Sequence, residues 1–166
     1  MMASMHSIIR TQLSLLTGSH GDLALSTAEL VARANQQLYA STAADKFSTL
    51  FFGCYDEQES TLVYSNAGHL PPFLIRGGEV RALEVSGLVA GAFPHAQYES
   101  SEIELKAGDL FVAYTDGVTE PENAYGEEFG EQRLIEALLR HADRPINEII
   151  QAVMQEVIEW TGETTL

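Results

Sequence analysis

The first part of the chain alternates apolar and polar residues with the period of a helix. Apolar positions recur at helical spacing within residues 2–16 and again within 26–41, and polar residues separate the two stretches. Ser26, with Glu29 three positions later, matches a capping box, in which each side chain accepts a backbone N–H group at the start of a helix. The pattern therefore predicts two helices, the second of which begins at the capping box.

The middle of the chain consists of short runs rich in β-branched and aromatic residues. Residues 47–55 and 61–67, joined by a short polar segment, predict an antiparallel hairpin. Residues 73–76 and 79–85, joined by two glycines, predict a second hairpin. Two more strands are predicted at 101–105 and 110–114. The last of these is apolar enough to be buried on both faces.

Helical spacing returns near the end of the chain. Apolar stripes within residues 131–141 and 146–161 predict two helices, and Gly162 is suited to end the second one. The order of helices, then strands, then helices predicts an α+β fold, in which the helices are segregated from antiparallel sheets.

Composition and charge narrow the class of protein. The 166 residues are 45% apolar and 20% charged, which suits one folded domain over 1–166. Nine basic residues against 24 acidic ones give a net charge of −15, which argues against binding to nucleic acid or to an anionic membrane. The single cysteine, Cys54, cannot form an internal disulfide. The chain shows neither a long apolar run nor a signal peptide, so we expect a cytoplasmic protein.

Residues 114–120 (YTDGVTE) are the strongest candidate for chemistry. Asp116 directly follows the predicted buried strand, and Gly117 would let the chain turn sharply. A carboxylate at a rigid strand end suits a hard divalent cation, because the sheet fixes its position. The alternative is a common strand-end turn in which aspartate serves only as a turn former.

Other polar residues carry weaker signals. Residues 66–72 (NAGHLPP) contain Asn66 and His69, but glycine and two prolines favour a tight turn over a ligand site. Residues 19–22 (SHGD) are more typical of a loop between helices. His95 and His141 belong to no pattern, and Cys54, within a predicted strand, is expected to be a buried, unreactive thiol.

Taken together, five segments resemble one family. They are 47–50 (FSTL), 66–72, 87–91 (GLVAG), 108–120 and 126–130 (GEEFG). The order and spacing of these five segments are similar to those of the bacterial stage II sporulation protein E-like phosphatases. These belong to the metal-dependent serine/threonine protein phosphatases of the PPM, or phosphatase 2C-like, class. The resemblance covers nearly the whole chain.

The resemblance implies a fold, a cofactor and a partner. The fold would be a four-layer α/β/β/α sandwich. The complete domain would hold two Mn²⁺ or Mg²⁺ ions, with Asp116 matching the central metal-ligand aspartate, and a metal-activated water would hydrolyse phosphoserine or phosphothreonine. The substrate implied is a phosphorylated regulatory protein of the anti-sigma-factor antagonist type.

The chain also departs from the family pattern. The first metal-binding segment would precede residue 2, and residues 162–166 (GETTL) stand where an Asp-Asp-x-Thr-Leu motif is expected. We therefore expect a domain that lacks both terminal metal-binding segments and is weakly active or inactive by itself. The alternatives are a non-catalytic interaction module and, less favoured, a sensor of a small ligand. Sheet edges left uncovered would favour a homodimer.

Overall fold

A computed structural model of the protein describes residues 26–41, 46–84 and 87–162. The helix predicted within 2–16 and the polar residues 19–22 lie outside these described residues, as do Val85 and residues 163–166. In chain order the elements are helix α1 (Thr27–Ser41), strands β1 (Leu50–Asp56), β2 (Thr61–Ala67), β3 (Phe73–Arg76), β4 (Glu79–Ala82), β5 (Ser101–Glu104) and β6 (Leu110–Val112), and helices α2 (Asp116–Thr119), α3 (Gly130–His141) and α4 (Ile146–Thr161).

Helix α1 begins as the sequence predicts. The backbone N–H of Ser26 donates to Glu29 Oε2 at 3.1 Å, and the backbone N–H of Glu29 donates to Ser26 Oγ at 3.2 Å. This is the reciprocal capping box, which satisfies two backbone donors that a helix start leaves without partners. The apolar stripe of α1 is buried, with Val31 fully covered and Leu38 nearly so.

The described residues fall into two compact units. The first unit holds α1 and an antiparallel sheet in the order β1-β2-β5. The central strand β2 is paired on both sides, and α1 packs on this sheet around Val31, Ala67 and Tyr98. The Thr27 hydroxyl lies 2.8 Å from those of Ser65 and Ser100, so one buried and one partly buried hydrogen bond also tie the start of α1 to the first unit.

The second unit holds an antiparallel sheet in the order β4-β3-β6, followed by α2, α3 and α4. Strands β3 and β4 are joined by Gly77 and Gly78, both with positive φ, which is the backbone of a type I′ hairpin turn. The guanidinium of Arg76 forms two hydrogen bonds with the Asp109 carboxylate, at 2.9 and 2.6 Å. This pair links the end of β3 to the turn before β6.

Helices α3 and α4 pack against each other in the second unit. Their buried residues include Leu134 and Leu138 on α3, and Ile149, Val153 and Val157 on α4. Gly162 ends α4 in the left-handed conformation, with φ 70° and its N–H bonded to the carbonyl of Ile158. Gly162 therefore ends the helix as the sequence predicts.

The α+β prediction is confirmed, because the described residues form four helices and two antiparallel three-stranded sheets. Several details of the prediction are wrong. Strand β1 begins at Leu50 and not at Phe47, and β4 ends at Ala82. Strand β6 ends at Val112, so Asp116 does not directly follow it, and all three residues of β6 are only half-buried. Strand β6 lies at the end of the described sheet, so it is less covered than the central strand β3, whose Phe73, Leu74 and Ile75 are buried.

Among the residues that the structure describes, no helix combines the length and the hydropathy needed to cross a bilayer.

Candidate functional site

The candidate site is built where the chain leaves strand β6. Two residues beyond the strand, Tyr114 is buried, and its ring stacks on Phe73 of the central strand β3 with centroids 5.0 Å apart. Helix α2 begins two residues later, at Asp116. The stacked ring therefore fixes the chain just before the carboxylate that the sequence singles out.

The hydroxyl of Tyr114 donates a hydrogen bond to Glu131 Oε2 at 2.9 Å. Glu131 lies in the first turn of α3, where a negative charge is also favoured by the helix dipole. Burial raises the pKa of Tyr114, and the hydrogen bond and charge of Glu131 raise it further. The phenol is therefore neutral near pH 7 and serves as a donor to a charged acceptor, which makes a strong hydrogen bond.

Asp116 is exposed to solvent as the first residue of the one-turn helix α2. Its Oδ1 accepts a hydrogen bond from the backbone N–H of Gly117 at 2.9 Å, and its carbonyl accepts one from Glu120 at 2.8 Å. Within the described residues, Asp116 forms no ion pair with a basic side chain. Gly117 continues the helical turn and does not have a positive φ, so the chain changes direction after β6 through the helical turn itself.

The segment after α2 folds back on itself. The N–H of Phe129 donates to the carbonyl of Pro121, the N–H of Asn123 donates to the carbonyl of Glu127, and the Asn123 side chain accepts from the N–H of Tyr125. These nested hydrogen bonds close residues 121–129 into an ordered loop. We call residues 115–130 the excursion. This segment connects the chain after β6 to the start of α3 and includes α2.

Two side chains from the C-terminal helices hold the end of the excursion. Arg133 Nη1 donates to the carbonyl of Phe129 at 3.1 Å, and Trp160 Nε1 donates to the carbonyl of Glu127 at 3.0 Å. The Arg133 guanidinium also lies 3.8 Å from the centre of the Trp160 ring, a cation–π contact. The excursion is therefore fixed at its base by Tyr114 and near its end by α3 and α4.

The donors around Asp116 do not match a two-ion site by themselves. Among the described residues, no group of three or more histidine, cysteine, aspartate or glutamate side chains is placed to hold a metal ion. One carboxylate does not offset the dehydration of a divalent cation, which takes several oxygen ligands. The described residues therefore supply one candidate ligand, Asp116, and do not complete a binuclear centre.

Residues 66–72 form a turn, as the sequence favours. Asn66 Oδ1 accepts the N–H of His69 at 2.8 Å, and Asn66 Nδ2 donates to the His69 carbonyl at 2.9 Å. Gly68 has φ 71°, and an added Cβ would lie 2.7 Å from Val89 Cγ1. Asn66 thus has a structural role in the first unit, and His69 belongs to no group of potential metal ligands in the described chain.

The isolated histidines and the cysteine have different surroundings. Cys54 is half-buried in β1, so the expectation of a buried thiol is wrong, because β1 lies at the end of the described sheet. His95 is exposed. His141 lies on α3 with Nε2 2.9 Å from Glu156 Oε1, and the guanidinium of Arg140 contacts both oxygens of the same carboxylate at 2.6 Å.

The family profile described as Stage II sporulation protein E (SpoIIE) matches residues 1–165. The chain belongs to the SpoIIE family. This confirms the family that its sequence motifs resemble.

Two relatives show how much of a SpoIIE-type protein the chain covers. It is 34% identical over 113 residues to protein IcfG of Synechocystis sp., which is 68% of this chain and 18% of IcfG. It is 31% identical over 112 residues to phosphoserine phosphatase RsbU of Bacillus subtilis, which is 65% of this chain and 33% of RsbU. The chain therefore spans a third or less of these relatives.

A solved structure of a related fold is the SiaA-PP2C domain of Pseudomonas aeruginosa. It matches with a TM-score of 0.78 at 22% identity, over 98% of this chain and 64% of the SiaA chain. At that identity the match establishes the fold alone, which is an α+β fold shared with the SiaA-PP2C domain.

The sequence pattern did not reveal the contacts that fix the two ends of residues 115–130 in this SpoIIE-family chain. Tyr114 and Glu131 are 17 positions apart, and Arg133 and Trp160 meet only because α3 and α4 pack together. The one available signal was the tyrosine at the end of an apolar run, since a buried tyrosine hydroxyl usually finds a partner.

Proposed function

We propose that this SpoIIE-family chain is an incomplete metal-dependent protein serine/threonine phosphatase domain. The observation that carries the proposal is Asp116, an exposed carboxylate at the start of the one-turn helix that follows strand β6. By resemblance, it matches the family's central metal ligand. The relative RsbU is named a phosphoserine phosphatase, which supports phosphoserine as the substrate class. The match of the family profile over residues 1–165 supports treating 1–166 as one domain.

The cofactor of the complete domain is proposed to be Mn²⁺ or Mg²⁺, with Asp116 as one ligand. Since the described residues supply no further set of donors for two ions, we infer that the chain alone binds them poorly. The chain by itself is therefore proposed to be weakly active or inactive.

The proposed substrate is a phosphorylated regulatory protein of the anti-sigma-factor antagonist type, by resemblance to the family. With a net charge of −15, the chain repels anionic partners at long range. Recognition of such a phosphoprotein is therefore proposed to depend on short-range contacts near Asp116. The homodimer stays a prediction, which gel filtration at micromolar concentration tests.

The first experiment measures phosphate release from a phosphoserine peptide with Mn²⁺, at high protein concentration. We expect slow release that EDTA abolishes and that Asp116→Asn lowers by at least ~100-fold, because several kcal/mol of transition-state stabilisation are lost with a metal ligand. Glu120→Gln is the matched control, since it neutralises an exposed carboxylate of the same excursion. Release that resists EDTA would contradict the proposed function.

A second candidate function is a non-catalytic, phosphatase-like interaction module. The single candidate carboxylate among the described residues favours it. Titration calorimetry with Mn²⁺ separates the two functions. Binding that is lost in Asp116→Asn supports the enzyme, whereas absent Mn²⁺ binding, with retained binding of a phosphorylated peptide, supports the module.

A further inference from the structure

Helix α2 has little of its own to hold it in place. It is a single turn, its N-cap residue Thr115 makes no side-chain capping hydrogen bond, and none of its residues is buried. A helix this short is not stable by its own hydrogen bonds. Forming the first turn fixes several backbone dihedral angles, and the free energy of one hydrogen bond does not offset that loss of conformational entropy. The direction in which α2 presents Asp116 must therefore be set by neighbouring contacts.

The nearest firm contact is Tyr114, separated from Asp116 by Thr115 alone. Tyr114 is 7% exposed, its ring is stacked on Phe73, and its hydroxyl is bonded to Glu131. The ring fixes the residue to the sheet, while the hydroxyl reaches the first turn of α3, where the excursion ends. One side chain thus joins the two ends of the segment that carries Asp116.

We propose that Tyr114 and Glu131 are positioning residues, whose hydrogen bond sets the orientation of α2 and thereby of the Asp116 carboxylate. The importance of that orientation for phosphate release rests on the proposed function. The positioning itself is a property of the fold and is measured without any substrate.

The variants separate the hydrogen bond from the bulk and charge of its partners. Tyr114→Phe keeps the stacked ring and removes the donor. Glu131→Ala removes the acceptor, whereas Glu131→Gln keeps an acceptor oxygen without the charge. Glu148→Ala is the matched control, because Glu148 is an exposed acid in the first turn of α4 and has the same relation to a helix dipole. Tyr125→Phe controls for loss of a hydroxyl, since Tyr125 is 89% exposed.

Backbone amides of α2 and of its C-cap residue Glu120 give the readout. The N–H of Gly117 donates to Asp116 Oδ1, that of Val118 to the carbonyl of Thr115, and that of Glu120 to the carbonyl of Asp116. In Tyr114→Phe and Glu131→Ala we expect the ¹H–¹⁵N signal of Gly117 to shift. Hydrogen exchange at Val118 and Glu120 should accelerate by about 10-fold, as local opening becomes easier.

In the same two variants, the ¹H–¹⁵N signals of strand β2, in the first unit, should stay unchanged, and Glu131→Gln should keep the α2 signals and exchange rates of the unaltered protein. The two controls should match it as well. An unmoved Gly117 signal in Tyr114→Phe would overturn the proposal. Signals that shift as much in β2 as in α2 would also overturn it, because that result indicates a change in the whole fold and not one at α2.

Phosphate release by the same variants separates this inference from the proposed function. If both hold, Tyr114→Phe releases phosphate about 10-fold more slowly, and Glu131→Gln releases it at close to the original rate. A loss of this size is usual when a residue that orients a metal ligand is changed. If the α2 amides respond but no form of the protein releases phosphate, the positioning is supported and the enzyme is not. If release occurs at an equal rate in Tyr114→Phe, with the amides unmoved, the positioning is wrong and the enzyme stands.

Discussion

Two buried tyrosines, one in each unit, differ in what their hydroxyls contact. The Tyr114 hydroxyl donates to a carboxylate, whereas the Tyr98 hydroxyl is buried and finds no hydrogen-bond partner among the described residues. Burial raises the pKa of Tyr98, so its phenol stays neutral to a higher pH than that of an exposed tyrosine. A buried hydroxyl without a partner costs the desolvation free energy and recovers none of it.

This contrast predicts opposite effects of the same substitution. Tyr98→Phe should leave the free energy of unfolding unchanged or raise it by up to about 1 kcal/mol, because the unpaired hydroxyl is removed. Tyr114→Phe should lower it by roughly 1.5–3 kcal/mol, the usual range for a hydrogen bond to a charged group. Urea denaturation measures both. A clear loss of stability in Tyr98→Phe would show that its hydroxyl has a partner after all.

At the scale of elements, the turn at residues 66–72 depends on the absence of a side chain. Gly68 has φ 71°, and a Cβ there would lie 2.7 Å from Val89 Cγ1 and 3.2 Å from Val89 Cα. Gly77, in the β3–β4 hairpin, has φ 57° with no atom within 4 Å of the added Cβ. Both glycines have a left-handed backbone. The difference in the free energy of unfolding between their alanine variants therefore measures the steric clash at Gly68.

Gly77→Ala should lower the free energy of unfolding by about 1–2 kcal/mol, the cost of a left-handed backbone for alanine. Gly68→Ala should lose that amount plus about 1–3 kcal/mol more, since the methyl group must displace Val89 and its backbone. Thermal or urea unfolding of both variants tests this. Equal losses would mean that the segment around Val89 moves aside freely.

The packing of α3 on α4 includes a charged cluster with a predictable pH dependence. Burial alone would raise the pKa of Glu156, but the hydrogen bonds and charges of Arg140 and His141 outweigh it and lower the pKa below its ordinary value. The folded state therefore holds this proton less tightly than the unfolded state. The stabilisation is present above the ordinary pKa of glutamate and is lost as the pH falls through the lower folded value.

Glu156→Gln should consequently lower the free energy of unfolding at pH 7 by about 0.5–1 kcal/mol, a modest amount because Arg140 is half exposed. The difference in the free energy of unfolding between Glu156→Gln and the unaltered protein should shrink as the pH falls below about 4. Urea denaturation at a series of pH values measures it. A difference that stays constant down to pH 3 would exclude ionisation of Glu156 as its source.

At the scale of the whole molecule, the sequence predicts the parts of the fold whose signals are local. The capping box of Ser26 and Glu29 and the stop at Gly162 predict the helix ends, and the two glycines predict the β3–β4 turn. The extent of β1 and the partial burial of β6 were not predicted, because strand ends and coverage depend on which strands pair.

In the candidate site, too, the sequence indicates the features with local signals and misses those that depend on packing. The role of Asp116 as a candidate ligand rests on its place after an apolar run and on the family motif around it, and it stays a prediction. The hydrogen bond between Tyr114 and Glu131 and the cluster of Arg140, His141 and Glu156 were not predicted. Each joins residues distant in sequence that only the packed fold brings together, so neither periodicity nor spacing encodes it.

The cation–π contact of Arg133 with Trp160 has a practical consequence. Trp160 is the sole tryptophan of the chain, and its indole N–H is bonded to the Glu127 carbonyl of the excursion. Fluorescence excited at the red edge of the aromatic absorption band, where tryptophan dominates, therefore comes from one known residue. A spectral change on adding a ligand would report, without any attached dye, that the end of the excursion has shifted against α4.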